Sequence, residues 1–338
     1  MSRWLRPIAL PGSEGQGVPL AGQRHVRFGS TEFIAPGSRA PGPVVSALPG
    51  ADRQRLTALR PALCGLTLDR PRIMGILNVT PDSFSDGGLH HGFDAAVAHA
   101  RSLALQSDIL DIGGESTRPG AAEVPVKEEI ARTAPVICAI RDAGLTLPIS
   151  IDTRKAAVAE AALDAGADMV NDVSALAYDP EMAALVAERG VPVCLMHSRR
   201  TPADMQSAAV YEDTLAEVLA ELSARAGEAQ AAGIAASRII VDPGIGFAKT
   251  LVHNLELLRG LTALHDLGYP VLLGASRKRF IGTIGGAEEA AARMPGSLAV
   301  ALQGVAQGMQ ILRVHDAAET AQAVRLWLAM TSPDGETG

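Results

Sequence analysis

From Arg72 onward the chain alternates short apolar runs with helical patterns, eight times over. The runs fall at 72–77, 108–113, 148–152, 168–172, 191–196, 239–242, 270–274 and 310–314. The helical patterns fall at 93–106, 125–143, 155–165, 179–189, 207–232, 252–267, 293–308 and 316–330. A parallel strand buried on both faces reads as a continuous apolar run rather than an alternation. Eight βα units in about 260 residues predict an α/β fold, the TIM (β/α)8 barrel. A doubly wound open sheet is the competitor, but it does not need eight units. GGEST and GIGF are not GxGxxG, so no dinucleotide fingerprint supports it.

In such a barrel the chemistry sits at the C-terminal ends of the strands and in the loops that follow. Polar residues fall there along this chain. Asn78 follows the first run, and Asp111 with Glu115 to Pro119 follows the second. Asp152, Asn171-Asp172, His197, Asp242 and Ser276-Arg277-Lys278 end the third to seventh, and Arg313 and His315 flank the end of the eighth. A barrel built for stability alone has no reason to do this at every strand. An Asp before a helix commonly caps it, which is the plainer reading of Asp152 or Asp242. Pro243-Gly244 makes a turn after Asp242 and weakens that reading there.

The densest polar loop follows the first strand, in Met74–Gly88, MGILNVTPDSFSDGG. Pro81 and Gly87-Gly88 end regular structure. A loop this rich in oxygen and amide groups suits a metal ion or a phosphate.

Composition narrows the class. The 338 residues are 47% apolar, and a net charge of −7 argues against a nucleic-acid surface. No apolar run reaches the length of a membrane span, and Pro7 and Pro11 interrupt any signal-like core. Cys64, Cys138 and Cys194 lack CxxC spacing and read as buried thiols in a reducing, cytoplasmic setting. The eight histidines show no HxxxH or HxH pattern. Charge clusters such as Lys127-Glu128-Glu129 read as solvated helix faces. The sequence divides into a Pro/Gly-rich extension (1–70), the barrel (71–331) and a tail (332–338). In the extension, 26–34 alternates like a strand, 37–50 reads as a linker, and 51–63 reads as a short helix ending before Pro61.

Seven ordered stretches resemble the dihydropteroate synthase family, which joins a pterin diphosphate to 4-aminobenzoate. They are the loop of Met74–Gly88, then DIGGESTRPGA, SIDTRKAAVAEAALDAGADMVNDVSAL, LMHSRRTP, VDPGIGFAKT, GASRKRFIG and ILRVHD. The resemblance spans residues 70–330 and implies the family's fold and activity. It assigns Asp152, Asn171, Asp242 and Lys278 to the pterin. Carboxylate, amide and ammonium groups match the donors and acceptors of a pterin edge. It assigns Asn78, Thr117, Arg313 and His315 to the diphosphate, and Mg²⁺ to Asn78. Strand alternation puts Arg313 and His315 on one face, which favours a shared target. Thr117, Pro119, Phe247, Lys278 and Arg279 would receive 4-aminobenzoate, with helix-opening N–H groups after Lys278 for its carboxylate. The family often has Ser where Arg279 stands. Asp86, Arg118, Asp152 and Lys278 are the residues implied for catalysis. Mobile loops at 79–92 and 116–125 would close over the site and exclude water. His197 to Arg200 is a basic run with the diphosphate within its expected reach. The resemblance also implies a homodimer through helices near 293–330. Two rivals are a non-catalytic pterin carrier, which needs no diphosphate set, and a scaffold that reuses the barrel.

Overall fold

In the computed structural model the described residues are 3–12, 16–79, 88–116, 122–199 and 208–331, with backbone alone for 88–94. The chain opens with four antiparallel strands: β1 (Trp4–Pro11), β2 (Val18–Leu20), β3 (Gln23–Ala35) and β4 (Ser38–Val44). β3 is the hub and pairs with the other three. Leu5, Leu20, Val26, Phe28, Leu48 and Leu56 form a small core beneath it, the last from α1 (Gly50–Thr57).

Eight parallel strands follow: β5 (Arg72–Asn78), β6 (Ile109–Gly113), β7 (Ile149–Asp152), β8 (Met169–Asp172), β9 (Val193–Met196), β10 (Ile239–Asp242), β11 (Leu272–Leu273) and β12 (Ile311–Val314). Their order is β10-β9-β8-β7-β6-β5-β12-β11, and a parallel bridge from Val241 to Val271 closes the ring. The fold is the expected (β/α)8 barrel. Its outer helices are α2 (Gly88–Ala104), α3 (Val126–Asp142), α4 (Ala156–Asp164), α5 (Met182–Arg189), α6 (Thr214–Ala231), α7 (Leu251–Arg259), α8 (Arg279–Gly285), α9 (Met294–Ala306) and α10 (Ala317–Thr331). No helix among the described residues is long and apolar enough to cross a membrane.

The barrel interior has two storeys. Met74, Ile109, Met169, Cys194, Ile240, Leu272 and Ile311 form one apolar cluster at the base, closed by Leu63 and Leu68. Leu63 and Leu66 exchange backbone hydrogen bonds of 3.0 and 2.8 Å, so a tight reverse turn plugs the bottom. Two residues further along the strands the same face carries Asp111, Asp152, Asn171, Asp242 and Arg313.

Several local expectations need correction. Residues 37–50 are not a linker: they hold β4 and a 3-10 turn at Val45–Ala47. The helix expected over 51–63 ends at Thr57. The pattern at 252–267 splits into α7 and a 3-10 segment at Leu261–Leu267, because Gly260 stops the first helix. Helix α8, absent from the eight expected, follows β11 directly. Cys194 is buried, but Cys64 is half-buried and Cys138 exposed, so the thiols are not all interior.

Candidate active site

The upper storey is an ionic cluster held by one arginine. Arg313 donates from Nε to Asp111 Oδ2 and from a terminal nitrogen to Asp152 Oδ2, both at 2.6 Å. Asn171 Nδ2 leans on Asp111 at 3.4 Å. Asp111 is fully buried and Asp152 is 5% exposed, so these charges work in a poor solvent. Asp152 keeps its second oxygen, Oδ1, buried with no partner. Burial pushes its carboxyl up to about 7, helped by Asp111 and opposed by Arg313. An orphaned buried acceptor is expensive to maintain, and in a pocket mouth it marks a place for a ligand donor.

Asp242 stands across the mouth. Its Oδ1 accepts from Gly244 N at 2.7 Å, which shapes the turn after β10 without capping a helix. Burial raises its carboxyl, and Lys278 is the main opposing charge. Lys278 is pushed down to about 8 by burial, with Asp242 opposing. Its ammonium donates to the Ile245 carbonyl and lies 4.5 Å from the centre of the Phe247 ring. This contact needs a glycine at 246: a Cβ there would sit 2.9 Å from Lys278 Cδ. Lys278 is also the residue that opens α8, so the helix's first N–H groups follow it directly in the chain.

Strand alternation sorts the remaining residues. Asn171 points inward, while Asp172 accepts from Ser174 N, Ser174 Oγ and Leu176 N at 2.7, 2.6 and 2.9 Å and builds the next turn. Asn78 is exposed at the end of β5, where a Cβ on Gly113 would lie 3.5 Å from Asp152 Cβ and 3.8 Å from Asn78 Oδ1. Arg279 is exposed on α8. Arg313 and His315 make different contacts. The guanidinium turns inward to the carboxylates, and His315 Nδ1 meets Ser276 Oγ at 3.1 Å. The neighbouring Asp316 pairs with Arg277. Asp86, Thr117, Arg118 and Pro119 lie outside the described residues. Among the described residues no group of three His, Cys, Asp or Glu is arranged to hold a metal. Asn78 Oδ1, close to Gly113 at the mouth, is a hard oxygen donor of the kind a magnesium ion accepts.

Two networks behind the site have no counterpart in the sequence reading. Lys155 Nζ donates to Glu115 Oε2 (2.5 Å), Val124 O (2.6 Å) and Glu129 Oε2 (2.7 Å). Glu129 is therefore not on a solvated face; it is 1% exposed and also accepts from Thr153 Oγ1 at 2.8 Å. The second network includes His197 and Arg199. At these residues the basic run is engaged within the protein: Arg199 is paired with Glu217 and Glu221, and His197 Nε2 meets Glu221 Oε2 at 2.9 Å. His197 Nδ1 lies 2.9 Å from Lys249 Nζ. Burial pushes His197 down to about 4 and Lys249 down to about 7.

The chain matches the family described as pterin binding enzyme over residues 74–315. The chain belongs to the pterin-binding enzyme family. It is 49% identical over 267 residues to the dihydropteroate synthase of Neisseria meningitidis serogroup C, covering 78% of this chain and 94% of the relative. The Xanthomonas albilineans dihydropteroate synthase solved with 4-aminobenzoic acid is 50% identical, with a TM-score of 0.74 over 80% of this chain and 97% of that one. The same enzyme solved in complex with 7,8-dihydropteroate gives a TM-score of 0.71 at 48% identity, covering 78% of this chain and 95% of that one. Membership therefore rests on most of the barrel, in sequence and in shape. The chain is a transferase of the dihydropteroate synthase kind.

Proposed function

We propose that this barrel condenses 6-hydroxymethyl-7,8-dihydropterin diphosphate with 4-aminobenzoate, giving 7,8-dihydropteroate and diphosphate. The observation that carries the site assignment is the buried, unpartnered Oδ1 of Asp152 inside a mouth that also holds Asn171, Asp242 and Lys278. A pterin edge brings N–H donors for the two carboxylates and acceptors for the amide and ammonium. Phe247, with Lys278 over its ring, offers a flat face for the benzene ring of 4-aminobenzoate. Helix α8 presents N–H groups for its carboxylate, with Arg279 beside them. We assign Thr117 and Pro119 to the same subsite.

In the reaction a C–N bond forms between the arylamine and the pterin methylene while the C–O bond to diphosphate breaks. The electron pair leaves with diphosphate, and the amine's surplus proton passes to solvent. The arylamine is neutral near pH 7, so no strong base is needed. Arg313 and His315, with Thr117, neutralise the leaving group. Asp152 steadies positive charge that develops on the pterin. Asp86 and Arg118 complete the set assigned to catalysis. Asn78 would hold Mg²⁺ by its amide oxygen; when bound, the ion offsets diphosphate charge. We also propose a homodimer through α9 and α10, supported by small and apolar residues on their outer faces such as Pro295, Ala299, Leu326 and Met330. A reducing, cytoplasmic setting fits three free cysteines. The test is diphosphate release followed by a coupled assay. Release that requires both substrates supports the reading; release with either substrate omitted, or none with both present, overturns it.

A further inference from the structure

We propose that the amino-terminal sheet braces the 4-aminobenzoate side of the active site, with Arg39 as its positioning residue. The inference rests on the assignment of Phe247 to that subsite. The family match begins at residue 74, so the whole sheet lies outside it. The sheet nevertheless reaches the rim of the barrel. At the turn between β3 and β4, Gly37 N donates to Asp213 Oδ2 at 3.0 Å. Arg39 forks onto both oxygens of Asp213 at 2.8 Å each. Asp213 is the N-cap of α6 and also accepts from Ala216 N at 3.0 Å. A bidentate guanidinium fixes direction as well as distance, which is what a brace requires.

From Asp213 polar contacts run unbroken to Phe247. Glu217 Oε1 accepts from Asp213 N at 2.9 Å, and Glu217 Oε2 accepts from Arg199 at 2.7 Å. Arg199 Nε donates to Glu221 Oε1 at 3.1 Å while its guanidinium lies 3.9 Å from the Tyr211 ring centre. Glu221 Oε2 meets His197 Nε2 at 2.9 Å, and His197 Nδ1 meets Lys249 Nζ at 2.9 Å. Lys249 Nζ then donates to the carbonyl of Phe247 at 2.9 Å. The ionisable groups alternate in sign: Arg39, Asp213 and Glu217, Arg199, Glu221, then Lys249 across a neutral His197. The ammonium has to donate to His197, which leaves Nδ1 as acceptor and Nε2–H as the donor to Glu221. Releasing Arg39 frees Asp213 to turn, and that freedom passes to the backbone that carries Phe247.

A sheet that merely docks would show itself differently, so the test separates the two. Arg39→Ala in the full chain should raise the KM for 4-aminobenzoate about threefold to tenfold. Its kcat and its KM for the pterin diphosphate should stay within about twofold of wild type. Arg6→Ala is the control: Arg6 ties the sheet to the Arg259 carbonyl at 3.0 Å but lies outside the run of contacts. It should move neither KM. Amide exchange at 211–216 and 246–249 should quicken in Arg39→Ala and not in Arg6→Ala. A lower melting temperature with the KM and the exchange at 246–249 both unchanged, or an equal rise in KM for both substrates, overturns the brace. Unchanged exchange at 246–249 overturns it even if the assignment of Phe247 to 4-aminobenzoate fails on its own. Faster exchange there with the KM unmoved would overturn that assignment and leave the brace standing.

Discussion

Replacing Asp152 by Asn should weaken pterin binding and leave the barrel as stable as before, or more so. Its two oxygens differ. Oδ2 takes Arg313 at 2.6 Å, and Oδ1 is buried without a partner. A carboxamide can keep the first contact through its carbonyl. Arg313 also retains Asp111 at 2.6 Å, so the cation is not stranded. The severe penalty for breaking a buried ion pair therefore does not apply. Binding is another matter. A carboxylate accepting from a pterin N–H is worth roughly 1.5–3 kcal/mol, or about tenfold to 150-fold in affinity. The stability effect has a sign in pH. Burial raises the folded-state pKa of Asp152 from the ordinary 3.8 to about 7. The folded protein then holds its proton more tightly than the unfolded chain does. The stability this contributes is full below about pH 4 and is lost as pH rises toward 7. The carboxamide of Asp152→Asn cannot titrate, so the variant lacks that slope and gains most on wild type near pH 8. Thermal unfolding at about pH 5, 6.5 and 8 reads the slope, with about 2–4 °C per kcal/mol for a barrel of this size. Calorimetry of a pterin reads the affinity. A variant that melts more than about 4 °C below wild type at pH 8, or that binds pterin unchanged, would refute the reasoning.

Three further outcomes are expected. Lys155→Met should destabilise by about 3–5 kcal/mol in urea unfolding, because Glu115 and Glu129, with side chains 7% and 1% exposed, lose their shared cation. Adding Glu129→Gln should recover part of that loss. Gly244→Ala should cost about 2 kcal/mol or more in a thermal melt, since φ is +66° and a Cβ would lie 1.9 Å from the His197 carbonyl oxygen. Leu68→Ala should lower the urea midpoint by the equivalent of about 2–5 kcal/mol by opening a cavity at the barrel base while leaving both KM values in place.

The barrel was legible because a parallel strand must bury both faces, and eight such runs leave few alternatives. The mouth was legible for a related reason. Asp152, Asn171 and Asp242 each lie at or next to the end of an apolar run, and the fold carries every run's end to one place. β4 was not legible: Pro41 and Pro43 break the expectation of a strand, yet an edge strand tolerates proline where its N–H faces away from the ladder. Nor were the two networks. Glu129 sits in a charged stretch of α3, and its partners Thr153 and Lys155 lie 24 and 26 residues away. Arg199 looked available for an anion because its neighbours in sequence are basic. Its neighbours in space are Glu217 and Glu221, 18 and 22 residues on, one turn apart on α6. Periodicity reports which way a side chain points and not which charge waits there. A charge in this sequence could therefore be placed at the mouth from its strand, but whether it was free to meet a ligand depended on helices packed outside the barrel. Lys249 is the sharpest case: nothing in its sequence pattern marks it, yet it is buried with His197 Nδ1 and the Phe247 carbonyl each 2.9 Å from its ammonium.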